Sequence, residues 1–273
     1  MTMTERTGPE QELLVLESGP ELIFRVTRPA TEGEAVFSSM PVGPWLNGPS
    51  GRPLAGALGV LIDNVLSYAI MLRRPPGGWS VSAEISVDLC GPVPDGPHVL
   101  IAEGHSDHSD GAGGIASGSV TDGAGRLIAL CRQHGRWISS TPRAASAEAA
   151  GSVAVPGDLT GVLGAPCTAA DGSVHLDLAV TRDLANPLGT LHGGITLCAC
   201  DLVAQAALAA VGGQSRTRSI RVAYTRPVLA ATAVRFEGRV LHRGRAFAVT
   251  QVTALNDRGK PCVIATVTTG APA

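Results

Sequence analysis

Aromatic residues are scarce in this chain, at 3% of its 273 residues, so its interior must be packed from aliphatic side chains. Charge is scarce too, and a net charge of −2 offers no basic face to nucleic acid or to an anionic membrane. Residues 1–12 are polar and lack the apolar stretch of a secretion signal. No uninterrupted apolar run has the ~20 residues of a membrane span. The six cysteines show no C-x-x-C spacing and fall in strand-like or helical stretches. That pattern argues for buried thiols in a reducing, cytoplasmic setting, and against a disulfide framework or a zinc site.

What the chain does have is concentrated in residues 186–201, Asn-Pro-Leu-Gly-Thr-Leu-His-Gly-Gly-Ile-Thr-Leu-Cys-Ala-Cys-Asp. Asn186, His192 and the pair Gly193-Gly194 stand at the mouth of a helix. The helix runs on through Leu202, Val203 and Ala206–Ala209 with almost no polar face, and a helix apolar all round is wrapped by the rest of its fold. Asp201 lies inside it. The positions one turn away hold Leu197, Cys198, Ala204 and Gln205, so no basic neighbour pairs with it. Burying such a carboxylate is costly, which marks it as a functional candidate over a surface residue or half of a salt bridge.

Downstream, Gly212-Gly213 ends the helix, and four strand-like runs follow at 217–224, 233–241, 246–255 and 262–269. The first half has the same order. An apolar helix over 58–72 carries Asp63, again without a basic neighbour, and strand-like runs follow at 82–89, 98–105, 115–121 and 127–134. Setting Asp63 on Asp201 puts Gly56 on Gly194, Ala55 on Gly193 and Leu54 on His192. Pro92 falls opposite Pro227, and counting back ten residues from each pairs Ser82 with Thr217; Asn47 comes near Asn186 if the loop gains one residue. Two copies of one supersecondary unit about 138 positions apart account for this. The organisation expected is a tail (1–20), a first unit with an eroded motif (21–138), an Ala/Ser/Pro/Gly-rich linker (139–157) and a second unit with the intact motif (158–273).

The series Asn186, His192-Gly193-Gly194, Asp201, Thr217 and Arg226-Pro227 resembles the hotdog-fold acyl-CoA thioesterases of the PaaI-like type, and the whole chain resembles a double-hotdog member. The resemblance implies an α+β fold in which each half wraps a curved antiparallel sheet round a long helix, the halves pairing as a pseudo-dimer. It places active sites where two units meet. One site would combine Asn186, His192 and Gly193 with Asp63 and Ser82. The other would combine Asp201 and Thr217 with Asn47 and Ala55, and would be weak or dead for lack of the His and the Gly pair. Pairing within a half would instead give Asp201 to the intact set, so both aspartates remain catalytic candidates.

The implied reaction is hydrolysis of an acyl-CoA or related acyl thioester, with coenzyme A entering as part of the substrate and no separate cofactor or metal. The Gly193 N–H at a helix N-terminus suits a developing oxyanion, Gly194 completes the close approach, and the Asp serves as general base or as nucleophile. Arg243 and Arg245 are candidates for the coenzyme A phosphates, with Arg226 and Arg221 behind them. His105 and His108 with Asp107 and Asp110 read as a polar hairpin before a metal site. The competing functions are a non-catalytic acyl-CoA binder and a hotdog-type enoyl thioester hydratase or dehydratase. Two such chains could pair again as a homodimer.

Overall fold

The structure, a computed structural model, describes residues 19–139, 157–170, 172–213 and 216–270. The tail through residue 18 and nearly all of the expected linker lie outside the described residues.

Both halves run through the same elements in the same order. A short helix comes first, α1 (Gly19–Phe24) in one half and α3 (Leu159–Leu163) in the other. Two strands follow, β1 (Ala30–Glu32) and β2 (Ala35–Pro41) or β7 (Thr168–Ala170) and β8 (Ser173–Ala179). Next come a 3-10 turn and the long helix, α2 (Gly59–Met71) or α4 (Gly193–Ala210). The first half closes with β3 (Trp79–Leu89), β4 (Val99–Ser109), β5 (Gly113–Asp122) and β6 (Leu127–Ile138). The second closes with β9 (Arg216–Tyr224), β10 (Ala233–Arg243), β11 (Phe247–Asn256) and β12 (Pro261–Gly270). The long helices and these eight strands stand where the sequence pattern places them. The strands before each long helix and the short helices were not foreseen. β2 and β8 alternate inward and outward residues, but their partners, β4 and β10, lie far along the chain.

All twelve strands join one antiparallel sheet in the order β1-β2-β4-β5-β6-β3-β9-β12-β11-β10-β8-β7. The halves meet at its middle, where β3 pairs with β9 from Glu84 opposite Ala223 to Asp88 opposite Ser219. Arg221 crosses this seam to grip Asp88 in a two-pronged pair of 2.6 and 2.8 Å. The seam converts two would-be edges into an interior ladder.

The sheet curves round α2 and α4, whose residues are buried on nearly every side. By length and apolarity α4 could cross a membrane, but 78% of it is buried inside the fold, as a core helix should be. The helices touch backbone to backbone. A Cβ on Gly194 would lie 2.5 Å from the carbonyl carbon and oxygen of Gly59, so only glycine permits the contact. Neither helix begins with a Ser, Thr, Asp or Asn cap of its own. Each receives its carboxylate from the other half: Asp63 accepts from Gly194 N–H, and Asp201 accepts from Gly56 N–H. This exchange of caps, favoured by the positive end of each helix, builds two pseudo-equivalent half-sites.

Candidate active site

Asp63 is 6% exposed and surrounded by donors. Its Oδ1 accepts from the hydroxyls of Ser67 (3.1 Å) and Ser82 (3.0 Å). Its Oδ2 accepts from Gly194 N–H (3.1 Å) and lies 3.3 Å from His192 Nδ1. Behind the two serines stands Gln133, fully buried on β6, whose Nε2 donates to both hydroxyl oxygens at 2.9 Å. With their oxygens occupied by one amide, both serine hydroxyls turn their protons to the carboxylate. Sequence reasoning missed Gln133. The available signal was a polar residue at an inward-facing position of an alternating strand, between Cys131 and Gly135.

His192 sits between two carboxylates, with Nε2 3.3 Å from Glu21 Oε1 and Nδ1 3.3 Å from Asp63 Oδ2. Burial alone would drive its proton off. The charges of Glu21 and Asp63 outweigh that and hold its pKa up at about 9. At neutral pH the ring is therefore an imidazolium. Gly194 N–H also points at Nδ1 (3.0 Å), a bond that only the neutral ring accepts; on the imidazolium the N–H is left to Asp63 Oδ2. Tyr224 O–H donates to the Gly193 carbonyl (2.8 Å) and steadies the helix start. Burial raises this phenol well above its ordinary range, so it remains neutral.

Asp63, Ser82, Asn186, His192 and Gly193 all line one cavity of about 590 Å³ between the halves, as do Glu21 and Asn64. Asn186 shapes the approach, its Oδ1 accepting from Leu188 N–H, Thr190 N–H and the Thr190 hydroxyl. Gly193 keeps the wall thin, since a Cβ there would lie 2.7 Å from Asp63 Oδ2. Among the described residues no acceptor takes the Gly193 N–H. Among the described residues, Arg136 and Arg226 are the two arginines of the lining. Arg243 and Arg245 are absent from it: they flank the β10–β11 turn, where Arg243 donates to the Val211 carbonyl. Arg221 is committed to the seam. The His105, Asp107, His108 and Asp110 set sits on the exposed β4–β5 hairpin. Among the described residues no group of three or more such side chains comes together to hold a metal.

The other half-site is closed. Asp201 is 0% exposed, and its carboxylate accepts from Gly56 N–H (2.8 Å) and the Thr217 hydroxyl (2.5 Å). Gln205 donates to Thr217 from behind (2.7 Å). Burial pushes the Asp201 carboxyl above its ordinary range, against the hydrogen bonds from Thr217 and Gly56. The expected role of Asn47 is corrected. Paired bridges, Asn47 with Pro53 and Ala185 with Leu191, align Asn47 with Ala185 and leave Gly48 at the place of Asn186. No extra loop residue is needed. Asn47 instead takes Leu159 N–H on its backbone carbonyl.

Solved structures share this fold over nearly the whole chain. The TesB protein of Mycobacterium avium subsp. paratuberculosis is similar at 12% identity and a TM-score of 0.63, covering 90% of this chain and 96% of that one. A protein from Novosphingobium aromaticivorans assigned as a thioesterase has 16% identity and a TM-score of 0.62, covering 90% and 98%. A third from Lactobacillus plantarum, assigned as an oleoyl thioesterase, has 14% identity and a TM-score of 0.62, covering 88% and 97%. The fold is thus that of the hotdog-type thioesterases. Curated proteins yield no match. The family model of the acyl-CoA thioesterase N-terminal domain matches residues 181–270, and that of the acyl-CoA thioesterase C-terminal domain matches residues 18–136. The chain belongs to the acyl-CoA thioesterase family, and it carries the two domains in reversed order.

Proposed function

We propose that the chain is a tandem double hotdog, a pseudo-dimer within one polypeptide, that hydrolyses acyl-CoA at the single open half-site. The observation that carries this reading is the position of Asp63. It comes from one half, meets the helix N-terminus of the other, and faces a cavity that Asp201 does not reach. A thioester carbonyl entering that cavity has the Gly193 N–H and the positive end of α4 available for its developing negative charge. Water supplies the nucleophile. As its oxygen bonds to the carbonyl carbon, its proton passes to Asp63, and the tetrahedral intermediate then expels the thiolate, which recovers a proton. The general-base route is favoured over direct attack by Asp63, because a carboxylate pinned by Ser67, Ser82, Gly194 and His192 is held back from the carbonyl. For the coenzyme A phosphates, Arg136 and Arg226, which line the cavity, are favoured over Arg243 and Arg245, which do not.

The test is release of free thiol from short, medium, long and aromatic acyl-CoAs. Asp63→Asn should lower kcat/KM by roughly 100- to 10,000-fold, the usual share of a general base. Asp201→Asn should stay within a few fold of the unsubstituted chain. The reverse pattern would move the site to Asp201. Tight acyl-CoA binding without thiol release would leave a binder of the same fold.

A further inference from the structure

Glu21 is a second buried carboxylate at this site and no part of the reaction above uses it. It is 8% exposed, carried by a six-residue helix, and its Oε1 lies 3.3 Å from both His192 Nε2 and Asn64 Nδ2. The helix cannot drift. Phe24 and Ile23 are buried, and a Cβ on Gly19 would lie 2.4 Å from the Asp183 carbonyl oxygen of the other half. A buried carboxylate must be met by hydrogen-bond donors or a positive charge, and His192 and Asn64 both face Glu21 at 3.3 Å.

The closed half-site supplies an internal control. Position by position, His192 corresponds to Leu54, and Asn64 to Leu202, the residue after Asp201. Aligned on the buried ends of the two short helices, Ile23-Phe24 and Val162-Leu163, Glu21 corresponds to Thr160. Asp63 and Asp201 are both retained, along with their Gly N–H and hydroxyl partners. The glutamate, its histidine and its asparagine are lost together in the half-site whose carboxylate is fully buried. Glu21 thus goes with the open, histidine-bearing site and is not a general need of the fold.

We propose that Glu21 is a positioning residue: it fixes His192 as an imidazolium, with Nε2–H held by Glu21 and Nδ1–H directed at Asp63. The charge on His192 rests on its place between two carboxylates at 3.3 Å, while its effect on turnover rests on the thioesterase reading. Among the described residues, the groups facing the ring are Glu21 from α1, Asp63 from α2, the neutral Tyr224 phenol beside Gly193 from β9, and the N-terminus of its own helix. Arg182 and Asp183, on the turn beneath, are solvent-exposed. Glu21 is thus the one carboxylate that can be neutralised without touching Asp63.

The experiment follows the His192 ring nitrogens by NMR in the full chain and in Glu21→Gln, alongside the pH profile of kcat/KM. In the unsubstituted chain the ring should carry both protons at pH 7. In Glu21→Gln its midpoint should fall by about 1 unit or more, since an opposing charge at this distance is worth that much. The alkaline limb of kcat/KM should move down with it, and Glu21→Asp should restore part of both shifts. A neutral His192 at pH 7 in the unsubstituted chain overturns the proposal without any variant. So does an unmoved midpoint in Glu21→Gln, or a moved midpoint with an unmoved kinetic limb. If the unsubstituted chain releases no thiol from any acyl-CoA, the thioesterase reading fails, and the ring titration still decides the role of Glu21.

Discussion

Asp63 and Asp201 show how surroundings assign different work to the same side chain at matching places. Each lies in an apolar helix, takes a glycine N–H from the opposite half and takes a hydroxyl from the first strand after its helix. Asp63 adds His192 and the wall of a cavity, while Asp201 is fully buried and has Leu54 at the place of the histidine. The consequence for Asp201 is a raised pKa, which reverses the usual sign of a buried carboxylate's contribution to stability. Its contribution is fully present below the unfolded value of 3.8 and is lost as pH rises through the higher folded value. Asp201→Asn cannot ionise, and its amide can donate to Thr217 while its carbonyl accepts from Gly56. This variant should therefore raise the urea midpoint at pH 7, and the gain should vanish near pH 4. A lower midpoint at pH 7 would mean that the ionised carboxylate is worth keeping. Asp63, Ser82, His192 and the glycine pair were legible in the sequence because motif and repeat mark them. Glu21 and Gln133 were not, since each meets the site through partners that no local spacing reveals: Glu21 is 171 residues from His192, and Gln133 is 51 from Ser82.

The two glycines at the start of α4 have separate duties. At Gly193 an added Cβ meets the Asp63 carboxylate at 2.7 Å, whereas at Gly194 it meets the α2 backbone at 2.5 Å. A carboxylate can give way, but two packed helix backbones give way only by separating. Gly193→Ala should therefore lower turnover about 100-fold, as a displacement on the order of 1 Å does to a reacting group, and cost less stability than Gly194→Ala, since only the cap from Asp63 is disturbed. Gly194→Ala should destabilise the chain by about 1–3 kcal/mol through overpacking. Thermal unfolding and thiol release, measured on both variants, separate the two effects. Equal stability losses would mean that the glycines share one packing role. The elements themselves were legible to the extent that their signals are local. The long helices declare themselves by apolar runs, and eight strands by alternation and turns. β2 and β8 needed knowledge of β4 and β10, to which they pair across the long helix.

At the scale of the molecule, the seam between β3 and β9 makes one sheet of twelve strands. Separate unfolding of the halves would break that ladder and strip both long helices of their caps. One cooperative transition is expected. Trp45, Trp79 and Trp137 all lie in the first half, so their fluorescence reports that half alone, while far-ultraviolet circular dichroism reports both. The two signals should coincide in urea, and two separated midpoints would show the halves to be independent. The family's C-terminal-domain model matches the first half and its N-terminal-domain model the second. The shared arrangement therefore depends on which faces meet and not on which half comes first along the chain, as a pseudo-symmetric pair allows.

Asp63 and the Gly194 N–H that it accepts stand 131 residues apart. During synthesis, the first half leaves the ribosome with its carboxylate in place and no helix N-terminus to meet it. If Asp63 is the working carboxylate, as proposed, a first half standing alone lacks the helix N-terminus that completes its site. On that reading thiol release should count only chains whose two halves have docked, and turnover per molecule should follow the yield of refolding.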